Sequence, residues 1–128
     1  MKRVLLLLLT AFALSASADE PMLKATPYVY VKSSIGKGKP YFLEIGSDSC
    51  RSCIIMGKLL YKVKQRHQGY QIAFINVQKE RHVAQELQVR MIPTQIIYDK
   101  KGSEVYRHIG PLGTDELLGL FKKYGFAS

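Results

Sequence analysis

The fold of this chain is organised around residues 46–53, which read GSDSCRSC. They hold the only two cysteines among the 128 residues, Cys50 and Cys53, at the point where an apolar strand pattern gives way to a helical one. Side chains at positions i and i+3 of a helix lie on one face with Cβ atoms roughly 5–6 Å apart, close to the separation that a disulfide spans. We therefore predict that the two sulfurs can pair and separate with little movement of the backbone.

The two elements that flank residues 46–53 follow from hydrophobic periodicity. Residues 41–45, YFLEI, are almost wholly apolar, which predicts a strand that is buried on both faces. A helix is predicted over residues 51–67 because apolar side chains recur with helical spacing, at Ile55, Leu59, Leu60 and Val63. Residues 28–31 fit either a short strand or the first turn of a helix, since so short a segment has no decisive periodicity.

The remaining patterns complete a mixed α/β domain. They predict, in chain order, a strand over residues 71–77, a helix over 80–88, a hairpin of strands over 95–98 and 104–109, and a helix from Thr114. A strand–helix–strand start implies two parallel strands joined by a right-handed crossover. The predicted fold class is therefore α/β, with a mixed central sheet flanked by helices.

The N-terminus has the three parts of a secretory signal peptide. A basic start precedes an apolar run over residues 4–14 and a small-residue cleavage site at 16–18. The apolar run would span only about 16 Å as a helix, too short for a hydrocarbon core of about 30 Å. We expect cleavage after Ala18 and export, so that residues 19–38 form a mobile leader and a first element, and 39–128 the main domain.

The chain carries a formal net charge of +9, but its basic residues are scattered. There is no run of Arg and Lys interleaved with aromatic residues, so nucleic acid is not a predicted partner. We expect a solvated basic surface, which favours acidic partners or proximity to a membrane surface through long-range attraction. Since the apolar run is expected to be removed, an integral membrane protein is not predicted.

Four interpretations of Cys50 and Cys53 compete. As a structural staple, a four-residue ring would stabilise the fold by only about 2 kcal/mol, against about 3 for a fifteen-residue ring. A zinc site normally needs four ligands, and the three histidines, His67, His82 and His108, are dispersed, so no metal is predicted. The third interpretation is a vestigial or regulatory thiol pair on a binding module. The fourth, a working redox dithiol, is the one that the local chemistry favours.

That chemistry assigns a different role to each cysteine. A helix N-terminus stabilises the thiolate that exchange requires, so Cys50 should attack a substrate disulfide. Cys53, one turn further into the helix, should then displace the reduced product, and the reverse sequence would oxidise a substrate. Arg51 favours the Cys50 thiolate and Asp48 opposes it. No cofactor is predicted beyond the Cys50–Cys53 disulfide itself.

Three landmarks give the chain a resemblance to the thioredoxin family over residues 39–125. A Cys-x-x-Cys follows the first core strand, an Ile-Pro-Thr stands about forty residues downstream at positions 92–94, and Gly110 follows the last strand. The resemblance implies that the Ile92–Pro93 bond is cis and lies beside the dithiol. It also implies that an extended substrate peptide pairs with the backbone there. The substrate-contacting residues implied in this way are Ile92, Pro93, Thr94, Arg51, Ser52 and Gly110.

Glu44 lies where the thioredoxin family often has a buried acidic residue, six positions before Cys50. A carboxyl in a buried strand should resist ionising and can relay a proton to the resolving thiol of Cys53. The alternative is a carboxyl that points to solvent at the end of the strand. We favour the buried position.

The chain also departs from the family at positions that set the redox potential. Ser49 replaces the usual tryptophan, Arg51 and Ser52 replace the usual Gly-Pro, and the helix-kinking proline is missing near Lys58. Because the intervening dipeptide strongly influences redox poise, the direction of electron flow stays open at this point.

The resemblance implies a minimal exported thiol–disulfide oxidoreductase of the bacterial periplasm. Its expected partners are proteins with disulfides and a membrane electron donor, in redox homeostasis, disulfide repair or cytochrome c maturation. We favour a reductase. The alternatives are a disulfide oxidant or isomerase, and a non-catalytic binding module with a permanent disulfide.

Overall fold

The computed structural model of the chain describes residues 20–127. The signal peptide expected over residues 1–18 lies outside this part. Within the described part no helix is both long and apolar enough to cross a membrane.

The described residues follow the element order that the sequence predicts. The elements are α1 (Tyr28–Ser34), β1 (Tyr41–Gly46), α2 (Arg51–Arg66), β2 (Gln71–Asn76), α3 (Arg81–Glu86), β3 (Thr94–Tyr98), β4 (Glu104–Ile109) and α4 (Thr114–Lys123). The ambiguous residues 28–31 are helical, because Tyr28 and Val31, one turn apart, both face the core. Helix α3 is shorter than predicted, and Gln88 just beyond it has a left-handed φ of 54°.

One four-stranded sheet has the order β2-β1-β3-β4. Strand β1 pairs in parallel with β2 and antiparallel with β3, and β3 pairs antiparallel with β4. This confirms the mixed sheet. The antiparallel register sets Glu44 of β1 opposite Gln95 of β3, and Gln95 in turn opposite His108 of β4.

Apolar clusters cover both faces of the sheet. Helices α2 and α4 pack on one face, with a cluster that includes Phe42, Met56, Leu60, Ile97, Leu117 and Phe121. Helices α1 and α3 pack on the other, with a cluster that includes Val31, Leu43, Ile75, Val83 and Ile96. Each face buries one side of β1, which is why its apolar run shows no alternation.

The inward face of α2 differs from the predicted one at Ile55. This side chain is 56% exposed, whereas Met56 is fully buried. The buried stripe runs from Cys53 through Met56 and Leu60 to Val63, the spacing of a single helical face. Counting the stripe from Cys53, which is itself a core residue, gives the correct face.

Residues 22–26, within the segment expected to be a mobile leader, make hydrogen bonds to the main domain. The Leu23 N–H donates to the Gly57 carbonyl oxygen of α2 at 2.9 Å, and the Thr26 N–H donates to that of Phe74 in β2 at 2.8 Å. Gly57 permits this approach, because a Cβ there would lie 2.7 Å from the Met22 methyl carbon. The segment is thus attached both to α2 and to the edge of the sheet.

Candidate active site

The dithiol lies at the junction of β1 and α2. Cys50 is the N-cap residue of α2, with extended backbone (φ −101°, ψ 118°), and its carbonyl oxygen accepts from the Ile54 N–H at 2.9 Å. Cys53 is fully buried and Cys50 half-buried, and both are free thiols. The predicted placement of Cys50 at a helix N-terminus is confirmed.

The two thiols have opposite pKa shifts. Partial burial acts to raise the pKa of Cys50, but hydrogen bonds from the side chains and backbone of Cys53 and Ser52 outweigh it, and the net pKa is lowered. Burial, the hydrogen bond to Cys50 and the nearby charges of Cys50 and Glu44 raise the pKa of Cys53 to about 12, against an opposing backbone hydrogen bond from Ser47. Cys50 is therefore the better nucleophile and Cys53 the thiol that needs a base.

Serines hold the loop between β1 and α2 in place. The Ser49 N–H donates to the buried Ser47 Oγ at 3.0 Å, and the Ser49 hydroxyl donates to Gln78 Oε1 at 2.9 Å. Ser47 was not among the predicted site residues. The turn that its side chain forms fixes the backbone leading to Cys53. In the sequence this turn is indicated by two serines, two residues apart, directly after a strand.

Gly46, the last residue of β1, leaves room for Cys53. A Cβ at this position would lie 3.0 Å from Cys53 Sγ and 3.1 Å from its Cβ. We expect Gly46→Ala to lower the free energy of unfolding by about 1–3 kcal/mol, because the extra carbon overpacks a filled core. Urea unfolding measures the change. The control is Gly119→Ala on α4, where a Cβ meets nothing within 4 Å; it should stabilise by up to about 1 kcal/mol. Equal behaviour of the two variants would contradict the close packing at Cys53.

Glu44 is fully buried, which rules out the solvent-facing alternative. Its Oε1 accepts from Gln95 Nε2 at 3.3 Å, while Oε2 has no hydrogen-bond partner among residues 20–127. Burial raises the pKa of Glu44 to about 8, the Gln95 hydrogen bond lowers it, and the charge of Cys50 raises it. A carboxyl that titrates near neutral pH within electrostatic reach of both thiols can accept a proton from one of them.

Residues 92–94, which the family resemblance implies as substrate contacts, lie at the same end of the sheet as Cys50. Thr94 of β3 lies opposite Ile45 near the C-terminal end of β1, and the Ile92–Pro93 bond just before it is cis, as the resemblance implies. The Gly110 N–H donates to the Pro93 carbonyl oxygen at 2.8 Å, so the glycine after β4 lies at the same end of the sheet. Because β3 runs antiparallel to β1, its start and the end of β1 meet.

The other residues assigned to substrate contact differ in exposure. Arg51 is exposed and Ser52 is half-buried, with its Oγ 3.5 Å from Cys50 Sγ. Two apolar side chains that sequence analysis did not single out flank residues 92–94 and Gly110: Met91 is 63% exposed and Ile109 56% exposed. Their signal in the sequence is their position, each directly adjacent to a predicted contact residue.

The histidines do not come together. His67 stacks on Tyr70 with ring centroids 4.5 Å apart, and His108 contacts Gln95 through a ring nitrogen. Across residues 20–127 there is no cluster of three or more His, Cys, Asp or Glu side chains arranged to hold a metal ion.

Comparisons with known proteins agree with this architecture. The profile of a family described as a thioredoxin-like domain matches residues 29–125, which is more than half of the chain. No curated protein matches the chain significantly.

Solved structures share the fold at low sequence identity. Chloroplastic thioredoxin z superimposes with a TM-score of 0.72 at 14% identity, over 84% of this chain and 97% of that one. The oxidised form of mitochondrial thioredoxin 3 from Saccharomyces cerevisiae gives a TM-score of 0.65 at 20% identity, over 80% of this chain and 94% of that one. A malarial protein gives 0.61 at 18% identity, over 68% and 98%. At these identities the likeness concerns the fold alone.

Proposed function

The chain belongs to the thioredoxin-like family and is a thiol–disulfide oxidoreductase in kind, and we propose that it is an exported reductase of protein disulfides. The observation that carries the thiol–disulfide exchange is the contrast between the two thiols: Cys50 is half-buried at a helix N-terminus with a lowered pKa, and Cys53 is buried with a raised one. The buried Glu44 beside them supports the direction, as argued below. The signal-peptide pattern over residues 1–18 supports export to the bacterial periplasm. There a membrane protein would supply electrons, and the substrates would be proteins in disulfide repair or cytochrome c maturation.

The reaction proceeds in two exchanges. The Cys50 thiolate attacks one sulfur of the substrate disulfide, so that bond breaks, a mixed disulfide forms and the released substrate thiolate takes up a proton. Cys53 then gives its proton to the Glu44 carboxylate and attacks Cys50 Sγ. The second substrate thiolate leaves, and the Cys50–Cys53 disulfide forms. The substrate gains two electrons and the protein loses two, which the membrane donor must restore.

Glu44 favours the transfer of electrons from the protein to the substrate. A strong disulfide oxidant owes its potential to a stabilised reduced form. Here the charge of Cys50 raises the pKa of the buried Glu44 carboxyl, and the charge of Glu44 raises the pKa of Cys53, so negative charges on the carboxyl and on the dithiol repel each other. This repulsion disfavours the reduced, thiolate form relative to the disulfide, as in a protein that gives electrons away.

The second candidate is a disulfide oxidant or isomerase. The lowered pKa of Cys50 favours it, because a stabilised thiolate is a better leaving group and stabilises the reduced protein. The two candidates therefore differ in whether Cys50 stabilisation or Glu44 repulsion dominates the reduction potential.

The reduction potential of the Cys50–Cys53 pair decides between them. We expect a value near −270 mV, as in a reductant, from equilibration of the protein with dithiothreitol redox buffers. A value near −120 mV would refute the reductase proposal and support the oxidant. Protein recovered from the periplasm of an expressing bacterium serves for this measurement, and its intact mass shows whether residues 1–18 have been removed.

A further inference from the structure

A row of three polar side chains crosses the sheet beneath the dithiol. Gln95 Nε2 lies 3.3 Å from Glu44 Oε1, and His108 Nδ1 lies 2.7 Å from Gln95 Oε1. The three residues stand opposite one another on β1, β3 and β4, so their side chains share one face of the sheet. Gln95 is fully buried and His108 half-buried.

The row is an exception within an otherwise apolar face. Two residues along the same strands, the matching positions hold Phe42, Ile97 and Tyr106, which belong to or pack against the apolar cluster. A fully buried glutamine carries donors and an acceptor that each require a partner. Glu44 and His108 supply one partner at each end of the Gln95 amide.

The protonation states in this row are linked. An ionised carboxylate only accepts hydrogen bonds, so the amide nitrogen of Gln95 must face Glu44. Its oxygen then faces His108, and the short contact requires a hydrogen on Nδ1. If the amide turned over, its oxygen would face the carboxylate, an arrangement that only a protonated Glu44 tolerates. A hydrogen on His108 Nδ1 thus selects the amide orientation that suits ionised Glu44.

We propose that Gln95 and His108 are positioning residues of the dithiol site, in which the His108 N–H holds the Gln95 amide so that it donates to Glu44 and stabilises the proton-accepting carboxylate. The inference rests on the proposed function in that Glu44 is the base for Cys53. Gln95 lowers the pKa of Glu44, which is the effect that the row would maintain.

Other titratable groups also face the row. At the start of α2, the charge of Cys50 raises the pKa of Glu44, and the charge of Glu44 raises the pKa of Cys53. On β4 the Tyr106 ring lies parallel to that of His108 with centroids 6.4 Å apart, and the charge of Glu116 on α4 reaches Tyr106. Variants of Gln95 and His108 leave all these groups in place. A change in the titration of Glu44 in these variants therefore measures the effect of the hydrogen bonds that join Glu44, Gln95 and His108.

The titration of the Glu44 side-chain carboxyl, followed by carbon NMR in the intact reduced protein, tests the proposal. Gln95→Leu should lower its acid dissociation constant about tenfold, because the carboxylate loses its donor. His108→Phe should lower it in the same direction, and His108→Gln, which keeps an N–H donor, should restore it. The control His82→Phe removes an exposed histidine on α3 and should leave the titration unchanged. Thermal unfolding identifies any variant that does not fold.

Two results would overturn the proposal. One is a Gln95→Leu titration within twofold of the original, since the amide would then not stabilise the carboxylate. The other is a His108→Phe titration within twofold while Gln95→Leu shifts it, since the imidazole would then not orient the amide. Failure of the proposed function looks different: the protein would not reduce protein disulfides, whatever the titration of Glu44.

Discussion

Replacing Cys50 with serine will abolish the reduction of protein disulfides, whereas replacing Cys53 with serine will leave a protein that attacks a substrate once and stays bound to it. Cys50 is the half-buried thiol with the lowered pKa, so it forms the first bond to a substrate. Without Cys53 no intramolecular thiol can displace the product, and the mixed disulfide persists. Insulin reduction measures turnover, and mass spectrometry under non-reducing conditions identifies the trapped sulfur.

Each variant is the control for the other, because both retain one thiol. Substrate trapped on Cys53 in the Cys50→Ser protein would reverse the roles assigned to the two cysteines. An original protein without turnover, together with two variants that keep partner binding, would instead identify a binding module with a permanent disulfide.

The two thiols differ in accessibility and pKa because they occupy different positions at the start of α2. Cys50 caps the helix, where free N–H groups stabilise negative charge. Cys53, one turn later, begins the buried stripe of the same helix and lies against Gly46. Three positions along the chain therefore separate an accessible thiol from one that the core shields.

The sequence was sufficient for those parts of the site that depend on local pattern. The strand over 41–45 and the helix start at residue 51 follow from periodicity, whereas the position of residues 92–94 beside the dithiol was implied by the family resemblance alone. The face of α2 was misjudged at Ile55, since a helical spacing of apolar residues fits two neighbouring stripes when Cys53 is not counted among them.

The register of the paired strands could not be predicted from the sequence. A slip of one residue in the pairing of β3 would turn Gln95 to the other face, so its contact with Glu44 and His108 can be read only from the paired strands. A partial signal existed: Glu44 and Gln95 are both polar residues within strands that are otherwise apolar. The attachment of residues 22–26 to α2 and β2 is similarly non-local.

Replacing Glu44 with glutamine will stabilise the reduced protein at high pH and leave its stability at pH 4 nearly unchanged. Burial raises the pKa of Glu44 from 4.5 to about 8 in the folded state. Between these values the folded state holds a proton that the unfolded state has lost, so the free energy of unfolding falls as pH rises and the full cost applies above about pH 8. Glutamine cannot ionise, so the variant should be more stable at pH 9 by several kcal/mol, at most about 5.

Urea unfolding at pH 4, 6 and 9 with a reductant present measures this difference. Cys50 and Cys53 are present in both proteins, so only the part of their titration that depends on the charge of Glu44 enters the difference. The control Glu116→Gln removes an exposed carboxyl on α4 and should change the free energy of unfolding by less than about 0.5 kcal/mol at each pH. A Glu44→Gln difference that is the same at pH 4 and pH 9 would mean that the pKa of Glu44 is not raised.

The same substitution separates the two exchanges of the reaction. Attack by Cys50 should be unchanged or faster in Glu44→Gln, because a nearby negative charge is gone. Displacement by Cys53 should slow by about 100-fold or more, because its thiol, with a pKa near 12, loses its base. Single-turnover kinetics should therefore show the mixed disulfide accumulating, and the rise of the second rate up to about pH 8 should disappear. If Glu44 is the base for Cys53, its removal must slow this step even though it stabilises the fold. A Glu44→Gln protein that is more stable and displaces the product at the original rate would show that Glu44 has no catalytic role.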